Sequence, residues 1–240
     1  MIELEKPEHW QKAVYSIAGF ISEGNFRFSD SGIYFRALDP SQVVMIDYYM
    51  GKEFFEKYDI EPAMVGLDIK ELSKILSRSF ETDKLLMHLS DSELRIRFEG
   101  EMSRSFDLPL LDISDEEAKL PEAKYDAQVE INGRMLKEVL KDASLFGTSV
   151  VFRVKENQFM VEAKGTAGQL NSVIKKPKHV SVKFTSDVAS KYSLNFLQNI
   201  VKEADPEKRV LLEFKSDAPM KISYKIGPST MNFYLAHMIL

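Results

Sequence analysis

The sequence predicts an α+β chain made of two similar halves, and three observations carry that expectation. The chain matches itself when slid along by 126 positions. Within each half, apolar residues switch between helical and strand spacing in the same order. Between the halves lies ISDEEAKLPEAKY, which is acidic, contains Pro121 and has no apolar period. The 240 residues are enough for two domains of about 120 residues each. The expected boundaries are 1–112 for the first domain, 113–125 for an extended linker and 126–240 for the second domain.

The first helix is expected over 8–21, where Trp10, Ala13, Val14 and Ile17 share one face. Leu136, Val139, Leu140 and Ala143 stand 126 positions on, in a helix expected over 133–146 with Asn132 as its N-cap. Alternating runs mark strands at 25–28, 33–37, 43–48, 85–89 and 94–98. Phe26 and Phe28 correspond to Phe152 and Val154, and Ile33, Phe35 and Ala37 to Phe159, Val161 and Ala163. The turns SDSG at 29–32 and KENQ at 155–158 fall at matching places. A second helix is expected over 69–79, capped by Asp68, and a fourth over 193–204. Farther on, Leu85 and Leu86 correspond to Leu211 and Leu212, and Leu94, Ile96 and Phe98 to Met220, Ile222 and Tyr224. One slip in register is needed around the second helix of each half.

Charge is distributed unevenly along this pattern. The formal total is −5, yet the four expected helices hold eight Lys or Arg against five Asp or Glu, leaving −8 for the rest of the chain. Lys70, Lys74 and Arg78 form one stripe at i, i+4 and i+8; Arg134, Lys137 and Lys141 form another at i, i+3 and i+7. Lys12 and Lys202 add one cation each on the first and fourth helices. Little acid is interleaved along the stripes. Sparse cations at helical spacing suit sequence-independent, salt-sensitive contact with phosphates, while nothing is dense enough for tight binding.

Several chemistries are excluded or unsupported. With no cysteine there are no disulfides, zinc–thiolate sites or cysteine nucleophiles. The four histidines, His9, His88, His179 and His237, show no metal-ligand spacing on one helix, so no metal is expected. GxSxG, P-loop and GxGxxG motifs are absent and no carboxylate pair stands out, so neither an enzyme nor a cofactor is expected. An acid pair assembled only by the fold is the alternative. No apolar run approaches the ~20 residues that span a bilayer, and MIELEKPEHW does not read as a signal peptide, so an intracellular protein without a membrane partner is expected.

The stretch FRALDPSQVVMID (35–47) contains Leu38-Asp39-Pro40-Ser41-Gln42-Val43. It resembles the signature of the archaeal and eukaryotic sliding clamp family, proliferating cell nuclear antigen. ELSKIL (71–76), LKDAS followed by VVFRV (140–154) and MKISYKI…FYLAHMI (220–239) are similar to that family's second helix, third helix with its next strand, and closing strands. The resemblance covers essentially the whole chain, with an archaeal source favoured. It implies the DNA clamp fold: two similar domains per subunit, three subunits per ring, helices lining the hole and antiparallel sheets outside. The implied function is that of a DNA polymerase processivity factor encircling duplex DNA. A ring of three identical chains is the first expectation, and one subunit of a heterotrimer the alternative.

The resemblance also implies site residues. Lys12, Lys74, Lys141 and Lys202 would face DNA, with Lys70, Arg78, Arg134 and Lys137 beside them; Gln11, Ala18, Ser77 and Asn195 stand where the family often has a cation. Edge strands at 103–111 (Ser103, Ser105, Asp107, Pro109) and 169–175 (Gln169, Asn171, Val173, Lys175) would pair between subunits. A clamp loader, DNA polymerase, flap endonuclease and DNA ligase are the implied partners. Short peptides of such partners would dock at Leu38, Gln42, Val43, Met45, Ala118, Leu120, Pro219, Tyr234, Ala236 and Ile239. Ala236-His237-Met238 departs from the family's Ala-Pro-basic ending, which restores a backbone N–H at a pocket wall. The implied location is the chromosome-associated cytoplasm of an archaeon, or the nucleus of a eukaryote.

Overall fold

The computed structural model describes every residue except 115–117, 122 and 176. The acidic linker expected at 113–125 therefore lies partly outside the described residues. The chain divides into two compact units. One comprises Met1–Gln42, Ile46–Ala118 and Lys225–Met231; the other comprises Val43–Met45, Lys119–Tyr224 and Asn232–Leu240.

The first unit holds β1 (Ile2–Leu4), α1 (Pro7–Ala18), β2 (Glu23–Ser29) and β3 (Gly32–Leu38), followed by β4 (Val44–Gly51), which contributes residues to both units. Then come β5 (Lys57–Tyr58), β6 (Ala63–Asp68), α2 (Ile69–Leu76), β7 (Lys84–Leu89), β8 (Glu93–Glu99) and β9 (Arg104–Pro109). One antiparallel sheet has the order β5-β1-β7-β8-β9. Beside it, β2 is flanked by β3 and β6. α1 begins at Pro7, whose missing N–H costs nothing at a first helical position, and ends against Gly19. It buries Trp10, Ala13, Val14 and Ile17, and Trp10 meets Phe26 edge-on with ring centroids 6.3 Å apart. Asp68 caps α2 by accepting from the Glu71 N–H at 2.9 Å.

The second unit repeats this plan with β10 (Ala127–Asn132), α3 (Gly133–Ala143), β11 (Ser149–Lys155), β12 (Gln158–Gly165) and β13 (Gly168–Val173). β14 (Val180–Phe184), β15 (Val188–Ser193), α4 (Leu194–Ile200) and β16 (Arg209–Phe214) follow, then β17 (Met220–Ile226) and β18 (Ser229–Leu235), which have residues in both units. One sheet runs β13-β12-β11-β15. In another, β10 lies between β14 and β16, and β16 pairs with β17. Asn132 caps α3, accepting from the N–H groups of Arg134 (3.1 Å) and Met135 (3.4 Å). Phe152 packs edge-on against Phe159 and Phe214 in this unit's core, with centroids 5.3 and 6.3 Å apart.

The repeat survives at residue level. β2 and β11 begin and end 126 positions apart, and α1 and α3 begin 126 apart. KENQ forms a tight turn with Glu156 and Asn157 both at positive φ (52° and 60°), as a two-residue hairpin whose twist matches its strands requires. The slip expected near the second helix is also present. Ile69 and Leu72 of α2 correspond in burial to Leu194 and Leu197 of α4, which stand 125 positions on.

Three expectations need correction. Each half opens with a strand, β1 or β10, before its first helix. The slip continues past the helices, so pairing Leu85 and Leu86 with Leu211 and Leu212 is out of register. Leu85 and Leu212 are fully buried while Leu86 and Leu211 are half-buried, because a one-residue shift in a strand exchanges its faces. The helices also stop earlier than expected, at Ala18, Leu76, Ala143 and Ile200. After α2, the Ser77 hydroxyl and the Arg78 N–H take up carbonyls of the last turn, those of Lys74 (2.6 Å) and Ile75 (2.9 Å).

Candidate nucleic-acid interface

Shorter helices redistribute the expected cations. As folded, the four helices carry six Lys or Arg (Lys12, Lys70, Lys74, Arg134, Lys137, Lys141) and four Asp or Glu (Glu8, Glu71, Glu138, Asp142), a surplus of two. Arg78 and Lys202 fall in turns beyond α2 and α4, and α4 itself carries no charge. Both side chains are nevertheless exposed.

In the first unit α1 and α2 pack together, and Lys12, Lys70 and Lys74 are solvent-exposed. Lys12 Nζ donates to Glu8 at 2.5 Å, and Lys74 Nζ to Glu71 at 2.5 Å. The hydrogen bond from Lys12, aided by its charge, holds the Glu8 carboxyl below the usual carboxylate range. The Glu71 carboxylate, in the same way, raises the Lys74 ammonium above its ordinary value.

In the second unit the expected stripe separates into different roles. Lys141 is exposed and bonds Glu138 at 2.6 Å. Arg134 pairs with Glu207. Lys137 turns toward α4: its ammonium donates to the carbonyls of Lys202 (2.8 Å) and Ala204 (2.7 Å). Those carbonyls follow the end of α4, where a cation also meets the negative end of the helix dipole. Lys137 thus ties α3 to the chain leaving α4. The expectation of little acid along the stripes needs correction, since a glutamate one turn earlier holds Lys74 and Lys141; outside the stripes, Glu8 holds Lys12 in the same way. The spacing was visible in the sequence; the rotamers that close the pairs were not.

The two expected edges lie at sheet margins. β9 ends the order β5-β1-β7-β8-β9, and β13 ends β13-β12-β11-β15. Ser105, Asp107 and Pro109 are exposed and face Arg97, Arg95 and Glu93 across the ladder; Asp107 accepts from Arg95 at 2.6 Å. Ser103 precedes the strand. At its far end Leu111 leaves the ladder and donates to the Gly66 carbonyl at 2.9 Å, which shortens the expected 103–111 segment. On β13, Gln169, Asn171 and Val173 lie opposite Lys164, Glu162 and Met160, while Lys175 lies past the strand.

The LDPSQ segment is a turn closed by its own residues. The Asp39 carboxylate accepts from the Ser41 N–H at 3.0 Å and from the Ser41 hydroxyl, Pro40 presets the bend, and Gln42 donates to the Asp39 carbonyl at 2.8 Å. Gln42 sits at φ 59°, and Leu38 before the turn is 44% exposed. Of the other expected peptide-contact residues, Met45 and Tyr234 are buried, Val43, Ala118, Pro219 and Ala236 half-buried, and Leu120 and Ile239 exposed. Within the second unit, Ala236 donates to Val43 at 2.9 Å and Met238 to Lys191 at 2.7 Å. Among the described residues no group of three or more His, Asp or Glu is placed to hold a metal ion, and no helix is long and apolar enough to cross a membrane.

Comparison with known proteins agrees with this architecture. Residues 2–117 match the N-terminal domain of proliferating cell nuclear antigen, and residues 119–239 match its C-terminal domain. A relative in Thermococcus kodakarensis, DNA polymerase sliding clamp 1, is 33% identical over 93% of this chain and 92% of its own length. The DNA polymerase sliding clamp of Pyrococcus furiosus is 30% identical over 98% and 96%. Among solved structures, the PCNA of Thermococcus kodakaraensis superposes with a TM-score of 0.94 at 22% identity, covering 99% of both chains. That of Entamoeba histolytica gives 0.91 at 22% identity, covering 99% of this chain and 98% of its own. With both halves matched and the fold shared from end to end, the chain belongs to the proliferating cell nuclear antigen family of DNA sliding clamps.

Proposed function

We propose that three copies of this chain close into a ring around duplex DNA and act there as a processivity factor for DNA polymerase. The observation that carries this furthest is the pairing of two open sheet margins, β9 and β13, with cation-bearing helices in each of two repeated units. An exposed margin seeks another strand, and a head-to-tail contact between β9 of one copy and β13 of the next satisfies both when the ring closes. Each ring then holds six similar blocks. DNA is held by topology, so its contacts with Lys12, Lys70, Lys74, Arg78, Arg134, Lys141 and Lys202 need only be weak and independent of sequence. No chemical step is required of the protein.

Partner enzymes — loader, polymerase, flap endonuclease and ligase — would dock short apolar motifs at the residues around Met45, Leu120 and Tyr234. Light scattering after size exclusion tests assembly: a species of three chains is expected, and a stable monomer at micromolar concentration in low salt would defeat the proposal. Polymerase extension on primed circular DNA with a loader tests function, and stimulation is expected only on DNA the ring cannot slide off. Met45→Ala combined with Leu120→Ala should weaken partner-peptide binding while the ring persists. A ring of three different chains is the second reading. It is favoured by His237 in place of proline, and a monomer that assembles only with paralogous chains would select it.

A further inference from the structure

Each helix that carries an exposed lysine held by an ion pair carries the partner glutamate on the same face. Glu8 precedes Lys12 by four residues, Glu71 precedes Lys74 by three and Glu138 precedes Lys141 by three, with separations of 2.5, 2.5 and 2.6 Å. All six side chains are well exposed, between 46% and 70% of their area. A phosphate that reaches one of these ammonium groups therefore meets the carboxylate as well.

The arrangement is not a by-product of the repeat. Shifting by 126 positions carries Lys12 onto Glu138 and Tyr15 onto Lys141, so α1 and α3 reach the same pairing from different positions. Nor do exposed pairs of this kind contribute much to folding. Their larger effect is on the field above the helices, where each pair sums to zero.

We propose that Glu8, Glu71 and Glu138 are part of the DNA-sliding surface, where they attenuate its grip: each lends its lysine to a passing phosphate and recovers it as the phosphate moves on. This rests on the reading that DNA runs along these helices. The exchange has a thermodynamic signature. An ammonium that leaves a carboxylate for a phosphate bares an anion beside the DNA, so fewer counterions are released per contact than the ~0.9 expected of an unpaired lysine.

The test compares wild type with the triple variants Glu8→Gln/Glu71→Gln/Glu138→Gln and Lys12→Gln/Lys74→Gln/Lys141→Gln. Assembly of each is checked by light scattering. Association with a short linear duplex, open at both ends, is followed by anisotropy across a salt series. The glutamate variant should bind about threefold or more tighter at low salt, with a log K against log salt slope steeper by about one or more. Its rings, once loaded on long DNA, should diffuse more slowly along it. The lysine variant should bind more weakly with a shallower slope. If the lysine variant behaves so and the glutamate variant matches wild type, the attenuation is overturned while the DNA face stands. If neither differs from wild type, the DNA face itself is overturned and the inference with it. Single Glu71→Gln and Glu138→Gln variants, one in each unit, give the same readout should the triple variant assemble poorly.

Discussion

Arg104, the first residue of edge strand β9, donates to the carboxylate of Asp83, a group with no solvent exposure. The same guanidinium lies 4.0 Å from the Phe80 ring centroid and donates to the Arg78 carbonyl at 2.6 Å. One side chain thus fixes where β9 begins and binds it to the turn that follows α2.

Asp83→Ala should therefore be costly. Removing one member of a buried pair leaves the other charged and unpaired, a loss of about 3–5 kcal/mol. Urea unfolding would report it, and an Asp83→Leu/Arg104→Met double variant should recover part of the loss. If β9 closes the ring, Asp83→Ala should also release monomers at protein concentrations where wild type stays assembled. Unchanged stability would mean that the pair does not hold the strand.

Lys137 and Lys141 should separate stability from DNA contact. Lys137→Met removes two charge-assisted hydrogen bonds to the carbonyls of Lys202 and Ala204, and a loss of about 2 kcal/mol is expected. Lys141→Gln breaks only an exposed pair, so stability should change by less than about 1 kcal/mol. The salt dependence of DNA association should shift for Lys141 and stay nearly constant for Lys137. The opposite pattern would reverse these two roles.

Gly165, at the end of β12, has no room for a side chain: a Cβ would lie 1.6 Å from the Phe146 carbonyl oxygen. Gly165→Ala must displace the β12–β13 hairpin from the chain leaving α3, at a cost of about 1–3 kcal/mol. Because β13 is a sheet margin, ring assembly should weaken along with thermal stability. Light scattering and melting curves on the same sample would show both losses, and a variant that melts and assembles as wild type does would refute the tight approach.

Alkaline pH should destabilise the fold in a defined window. Burial pushes the Tyr58 and Tyr125 hydroxyls up to about 12 and raises Tyr48 and Tyr192 still further. An unfolded tyrosine ionises near 10. Stability from these groups is therefore complete below about pH 10 and is lost as pH rises toward the folded values, because the unfolded chain gives up its protons first. Near-ultraviolet titration should show that these four tyrosines, and Tyr49, which is also raised, ionise late in the native protein and without delay in urea. A single transition for all nine tyrosines would contradict the burial.

Much of this protein is set by local pattern. Trp10, Ala13, Val14 and Ile17 mark a helix face whatever surrounds them, and Leu136, Val139, Leu140 and Ala143 mark its repeat, because a period of 3.6 is a property of the chain itself. Asp39, Pro40 and Ser41 close a turn through bonds within four residues. Asp68 and Asn132 are caps for the same reason. Tertiary structure decided what depends on neighbours distant in sequence. Lys137 lay in the same stripe as Lys141, and only the approach of Ala204, 67 positions away, gave its ammonium carbonyls to hold. Which of Leu211 and Leu212 faces the core follows from a register that a one-residue slip reverses and that composition does not reveal. That β9 and β13 are margins is a property of whole sheets, since a strand's own residues do not record how many neighbours it has.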